Sequence, residues 1–325
     1  MSDYSIVPNA ALTATADAIR TKSGSQATIE FDHDTGFKDA VDAIPTTNTT
    51  WEDALVSGTW PSTDYINNRV TEINSSAFQA VPANTRVSLP NVTTIGSNSS
   101  WNGGTARDNM KKLYLPKLTT LNVGISYRNY IDSMYFPMLT SLNTERLRYW
   151  RRLVADIVLP SLTTLAGIGP LGNEGDLNDG TAVNIYLPAL TTLTSSNTFD
   201  TCINTELIDM GSANKIGSNC FIKCYRLQTI ILRKSDAIAP LDNVNAFSNT
   251  PFSGYNSLSG TVYIPKVLYD HLGDGTSLDY RAATNWATMY ADGHLDFAKI
   301  EGSAYENLNY TDLMAPAKTL AESWL

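Results

Sequence analysis

The sequence predicts a mainly β solenoid of stacked coils, with a small α/β module ahead of it and a helical cap behind it. Three observations predict this. One nine-residue phrase recurs five times between residues 87 and 193. Its period is near 23 residues. Both ends of the chain lose the phrase and take up helical spacing. A fixed period is the first thing to read in a sequence, because stacked repeats dictate the whole architecture.

The phrase runs aliphatic, any, aliphatic, Pro, any, aliphatic, Thr, Thr or Ser, aliphatic. Its copies are Val87 to Ile95, Leu113 to Leu121, Met134 to Leu142, Ile157 to Leu165 and Ile185 to Leu193. Two degenerate copies follow, Ile208-Asp209-Met210-Gly211 and Ile230-Ile231-Leu232-Arg233, with Gly and Arg where Pro stood. The start of the phrase returns as Val262-Tyr263-Ile264-Pro265. The Pro positions and their replacements fall at 90, 116, 137, 160, 188, 211 and 233, a spacing inside the leucine-rich-repeat range of about 20–29 residues. The longer steps carry insertions that loop out of the stack.

Each part of the phrase has a physical role. Aliphatics at alternate positions, such as Leu113 and Leu115, predict a short strand with one buried face. The residue between them, often Tyr, points outward. Proline ends the strand because it cannot donate to a ladder. Thr-Thr predicts a second extended stretch, since a branched Cβ favours strand geometry. One coil buries four or five aliphatic side chains at roughly 1.5–3 kcal/mol each. That is close to the entropy lost in ordering some 23 residues, so a coil is stable only when stacked.

Composition narrows the function. With 23 basic against 32 acidic residues the chain carries −9, which argues against nucleic acid and against an anionic membrane surface. No apolar run approaches the length of a membrane helix. The start, Met1-Ser2-Asp3-Tyr4, has no basic segment followed by an apolar one, so no secretory signal is expected. Three cysteines cannot make a disulfide framework, and the fold must stand on packing.

A second phrase lies between the strands. Ile73 and Phe78, and Ile216 and Phe221, share one spacing, and Asn245-Ala246-Phe247 repeats its end. The run from Ile216 through Cys220-Phe221, Cys224, Leu227 and Ile230 to Leu232 resembles the BspA-type leucine-rich repeat. The resemblance covers about 65–265 and is strongest over 205–265. It implies a right-handed coil of short strands and loops that serves binding and adhesion. Several middle repeats lack the Ala-Phe element and are drifted copies.

The ends differ from the array. Leu12, Ala16 and Ile19 share a helix face, as do Phe37, Val41 and Ile44, and Thr28 to Phe31 alternates like a strand. Leu12 to Gly24, Ile29 to Phe31 and Phe37 to Ile44 together resemble a short module of tail-associated proteins from phages of Firmicutes. The chain departs from it by inserting Asp32 to Gly36. About 40 residues make a marginal core, so the module needs a partner surface or self-association. Pro45 to Thr50 reads as a linker, and Trp51 and Trp60 as an N-terminal cap. Past Pro265, helical spacing returns at Val267, Leu268 and His271-Leu272. Ala282 to Tyr290 resembles the closing segment of such arrays, with Trp286 plugging the last coil. Residues 303–325 form an amphipathic tail, docked on the cap or used as an oligomer contact. The expected divisions are therefore 1–45 (attachment or oligomerisation module), 46–60 (linker and N-cap), 61–265 (solenoid), 266–302 (C-terminal cap) and 303–325 (tail).

Candidate chemistry is sparse. His33, His271 and His294 show no ligand spacing, and Cys202, Cys220 and Cys224 occupy the repeat's small-residue positions, as buried hydrophobes would. No nucleophile elbow, phosphate loop or dinucleotide fingerprint occurs. Paired carboxylates need not be close in sequence, yet nothing here favours them, and the chain is read as no enzyme. Two acidic loops are weak calcium candidates: one through Asp176, Asn178 and Asp179, the other through Asp270, Asp274 and Asp279. Their other reading is solvated turns, so no cofactor is expected. Arg146 to Arg152 stands out in an acidic chain. Arg148, Trp150, Arg151 and Arg152 are candidates for a sugar or phosphate-polymer contact, or for ion pairing with a neighbouring coil or subunit. Tyr114, Tyr135, Tyr186 and Tyr263 share one phrase position, and form either a stacked row or an aromatic ladder that binds ligand.

The expected function is a phage virion component, a tail fibre or tail tip. Residues 1–45 would attach it to other virion proteins, and the solenoid would bind a bacterial surface glycan or protein without breaking bonds. By analogy with fibres, a homotrimer made in the host cytoplasm is expected. The alternatives are a structural virion part such as a head fibre or decoration, and a BspA-like surface adhesin.

Overall fold

The computed structural model describes residues 64–67, 70–73, 85–96, 110–122, 133–143, 153–169, 171 and 183–323. The modules expected at 1–45 and 46–60, with Trp51, Trp60 and His33, lie outside the described residues, as does Phe78.

The repeat phrase folds as its spacing dictates. Its first half forms a row of parallel strands: β1 (Asp64–Ile66), β3 (Thr85–Ser88), β5 (Met110–Tyr114), β7 (Ser133–Tyr135), β9 (Ile157–Val158), β11 (Ile185–Tyr186), β13 (Leu207–Asp209), β14 (Thr229–Ile231) and β15 (Gly260–Ile264). Its second half forms a second row: β2 (Glu72–Ile73), β4 (Thr94–Ile95), β6 (Thr120–Leu121), β8 (Ser141–Leu142), β10 (Thr164–Leu165) and β12 (Thr192–Leu193). The second row is one unbroken six-stranded sheet. The first row is two sheets, β1-β3-β5-β7 and β9-β11-β13-β14-β15, with a further strand β16 (Leu295–Lys299) at its far edge. Among the described residues no ladder joins β7 to β9. Met134, Phe136, Leu153 and Ile157 line a small pocket at that parting.

Register follows the phrase. Tyr114 pairs with Tyr135, and Tyr186 with Asp209, then Ile231, then Tyr263. The degenerate copies therefore hold their places in the stack. Leu113, Leu115, Leu118, Leu121, Ile185, Leu187, Leu190 and Leu193 are buried, as alternation requires. The tight turn after each strand is closed by a backbone bond across the Pro-containing segment, such as Leu118 N–H to Leu115 O at 3.2 Å.

Threonine has a reason beyond its branched Cβ. The first Thr of each pair donates its hydroxyl to the carbonyl of the equivalent Thr one coil back. Thr93 donates to Thr71 (3.2 Å), Thr119 to Thr93 (3.0 Å), Thr140 to Thr119 (3.1 Å), Thr163 to Thr140 (3.2 Å) and Thr191 to Thr163 (3.3 Å). The result is a side-chain ladder alongside the backbone ladder.

Past β12 the third side of each coil fills with aromatic rings. Phe199, Phe221 and Phe247 stack with centroids 5.6 and 5.2 Å apart, followed by Phe252 at 5.0 Å from Phe247. Cys202, Cys220 and Cys224 are fully buried beside them. The thiol of Cys224 donates to Phe199 O at 3.0 Å, which ties neighbouring coils. Burial pushes the Cys220 thiol well up, the property of an inert core cysteine.

Gly211 stands where Pro stood because the backbones approach closely there. Its φ is +52°, and a Cβ would meet the carbonyl oxygens of Leu187 and Pro188 at 2.6 Å. Gly211→Ala is expected to destabilise the chain by more than the roughly 1–2 kcal/mol of a left-handed alanine. Chemical denaturation measures this, and an unchanged midpoint would contradict the close approach.

The cap is less helical than its spacing predicts. The described α-helices are the single turn α1 (Lys266–Tyr269), α2 (Trp286–Ala291) and α3 (Tyr310–Glu322), and between the last two β16 extends the sheet. Leu268 is buried, but Val267 is 48% exposed, because one helical turn can bury only one side. Trp286 is fully buried against Phe247, Tyr280 and Phe297, and its indole N–H donates to Ala239 O at 2.8 Å. It closes the phenylalanine stack.

Candidate functional site

The outward side of the first strand row is the best-defined surface of the array. Along it run Ser88, Tyr114 and Tyr135, then Val158, Tyr186, Asp209, Ile231 and Tyr263. Tyr114 and Tyr135 stack at 5.4 Å with planes 8° apart. Tyr186 and Tyr263 do not stack on each other, because Asp209 and Ile231 intervene. The four tyrosines thus form one pair and two separate rings.

This face is not open. The chain returns over it after β16. Tyr305 meets Tyr263 edge-on at 4.6 Å, and Tyr310 meets Tyr186 edge-on at 6.3 Å. Helix α3 then crosses β9, β7 and β5. Leu308, Leu313 and Met314 pack on a cluster that includes Val158, Tyr186, Leu207 and Ile231. Ala317 and Ala321 are buried, small enough to let the helix lie close to the sheet. At the far end Glu322 accepts from the Tyr114 hydroxyl, and Lys112 Nζ donates to Ser323 Oγ. Tyr135 is left 9% exposed and Tyr186 5%. The expected docking of the tail on the cap is thereby corrected. The amphipathic face of α3 finds its apolar partner along the strand row, where the array offers a longer apolar surface. Trp324 and Leu325 lie outside the described residues.

One polar cluster sits under the tail. The Asp209 side chain is fully buried. Arg233 grips it through Nε (3.0 Å) and Nη2 (2.8 Å), Gly211 N–H donates to it at 3.0 Å, and the Tyr310 hydroxyl at 2.7 Å. Arg233 Nη2 also donates to Tyr305 O at 3.0 Å, so the guanidinium joins array to tail. Fork geometry of this kind suits Arg and would not suit Lys. Burial, and then the Asp209 carboxylate, push the Tyr310 hydroxyl well above its usual range. Burial pushes Tyr186 up to about 12, with Asp156 the next cause. Both tyrosine hydroxyls therefore stay protonated at neutral pH.

A family model for the BspA type leucine rich repeat region matches the chain in six copies, over residues 44–145 and 179–270. The chain belongs to this family. A crystal structure of a leucine-rich repeat protein from Bacteroides ovatus is similar over 72% of this chain and 77% of that one, at 14% identity and a TM-score of 0.28. No curated protein matches the sequence.

Within this BspA-type array the other candidates fall as follows. Arg148, Trp150, Arg151 and Arg152 lie outside the described residues, and so do Asp176, Asn178 and Asp179. In the second acidic loop the carboxylates cap the backbone. Asp279 accepts from Gly275 N–H (3.0 Å) and Arg281 N–H (2.8 Å), and Asp274 from Thr276 N–H (2.8 Å). Asp274 also pairs with His271 Nδ1 at 2.6 Å. These oxygens hold a turn. His294 lies against Gly254, where a Cβ would meet its ring at 2.6 Å, so it packs as a wall of the cap.

Sequence reasoning missed Asp209, Arg233, Tyr305 and Tyr310 as a unit. A signal was present: Asp replaces the outward residue in one degenerate copy, and Arg replaces Pro in the next. Adjacent coils thus depart from the phrase with opposite charges. It missed Phe199 too, although Phe199 and Cys202 have the spacing of Phe221 and Cys224.

Proposed function

We propose that the protein is a non-enzymatic binding component that holds a bacterial surface glycan or protein on its repeat array. The observation that carries this is the stack itself. Its core is apolar, the carboxylates of Asp209 and Asp279 are occupied by structural donors, and each coil places one side chain at the same position of a strand row that the tail covers. Such a surface recognises extended partners by repetition. The finer reading is a virion tail fibre or tail tip, attached through residues 1–45 to other virion proteins and assembled as a homotrimer. It is supported by the resemblance of residues 12–44 to tail-associated modules. Family membership equally favours a BspA-like surface adhesin as the second reading. Tyr114, Tyr135, Tyr186 and Tyr263, with Arg148, Trp150, Arg151 and Arg152, are the proposed contacts.

The test uses labelled full-length chain on a panel of Gram-positive cells and isolated walls. Saturable binding to a few strains, with no soluble sugar released, is expected. A folded chain that binds no strain would overturn the receptor-binding reading and leave a structural virion part. Antibody labelling of particles against bacterial surfaces separates fibre from adhesin.

A further inference from the structure

The segment that covers the strand row is built unlike the array beneath it. Helix α3 has 13 residues with Pro316 in its interior. Pro316 has no N–H to give the Asp312 carbonyl, and an interior proline costs a helix about 3 kcal/mol. Isolated helices of this length are marginal even without proline. α3 is therefore helical because it is docked. Its bonds to the array cluster at two points, Tyr305–Tyr310 on Arg233 and Asp209, and Glu322–Ser323 on Tyr114 and Lys112. Between them the contact is made by Leu313, Met314 and two alanines. The coils beneath are held differently, by two ladders up to β12 and by one ladder and a ring stack beyond it. The array does not need the tail for its ladders, but the tail needs the array for its helix.

We propose that residues 301–323 form a strap that leaves and re-covers the strand face without unfolding the array, so that a ligand reaches the row from Tyr135 to Tyr263 only when the strap is off. This rests on the binding reading above and supplies its regulation. With the strap on, Tyr135 and Tyr186 are closed and Asp209 and Arg233 are engaged. With it off, aromatic rings flank an exposed carboxylate and guanidinium, a surface that stacks on sugar rings and bonds to their hydroxyls.

Hydrogen exchange on the full chain tests the strap. Amides of 310–323 should exchange about a hundredfold faster than those of 207–232, as expected of a locally opening element. Tyr310→Phe removes the hydroxyl bond to Asp209 and should speed tail exchange about tenfold or more, with the array amides unchanged. Pro316→Ala repairs the helix and should slow tail exchange by at least as much. Tail amides that exchange in step with the core strands in all three chains would overturn the proposal. Cell binding then separates the two readings. Stronger binding by Tyr310→Phe and weaker by Pro316→Ala supports gating, whereas equal binding by all three overturns it. A freely opening strap on a chain that binds no cell would overturn the proposed function and leave the strap intact.

Discussion

Replacing Arg233 with methionine is expected to destabilise the protein by about 3–5 kcal/mol, the usual loss when one partner of a buried ion pair is removed. The reason is the carboxylate left behind. Asp209 is fully buried, and Gly211 N–H and the Tyr310 hydroxyl cannot neutralise its charge. The side chain of Arg233 is 21% exposed, so part of its own charge is solvated already and little is gained by deleting it. Replacing both members with leucine should recover most of the loss, because no buried charge then remains. Urea unfolding of the two variants is the measurement. A double variant as unstable as the single one would show that Asp209 serves Gly211 and Tyr310 more than it serves Arg233.

Leu159→Asp is expected to do more, abolishing the cooperative melting of the whole array. Leu159 is 3% exposed, and a carboxylate there would be buried with no partner. Such changes lie in the tail of mutational effects, beyond about 4–5 kcal/mol. Coils are stable only through their neighbours, so a coil lost in mid-stack separates the two halves. Val154→Asp, at a residue half exposed in the same coil, should change stability by under about 0.5 kcal/mol. Thermal melts followed by circular dichroism compare the two. Similar melting of Leu159→Asp and wild type would contradict the register of the phrase.

The register was legible because each coil repeats the same local choices. Leu113 and Leu115 face the core, Pro116 ends the strand, and Thr119 and Leu121 return to the second sheet, each for a reason visible within nine residues. The Thr hydroxyl ladder was not legible, since it depends on the carbonyl of another coil. The tail was half legible. Leu313, Met314, Ala317 and Ala321 announce an apolar face, but the surface that meets it lies on strands far upstream, from β5 to β14, and no local pattern names it. The candidate site suffered most from this. Four tyrosines at one phrase position suggested a stacked row or a ligand-binding ladder, whereas Asp209 and Ile231 divide them and the chain's own tail covers them. The parting between β7 and β9 was likewise hidden, because the phrases on both sides are intact.

The return of the tail also alters the order in which the molecule can be completed. Neighbouring coils pair over about 21–35 residues, and stacks of this kind can grow locally from any point. The bond from Lys112 to Ser323 spans 211 residues. Loop closure over such a distance is slow compared with coil-by-coil growth. During synthesis the coils can stack as they emerge, but the face from β5 to β15 stays uncovered until the segment through Ser323 has left the ribosome. The nascent chain therefore passes through a stage with Tyr135, Tyr186 and Ile231 bare to solvent. At that stage its exposed apolar row is the surface most prone to association with another chain.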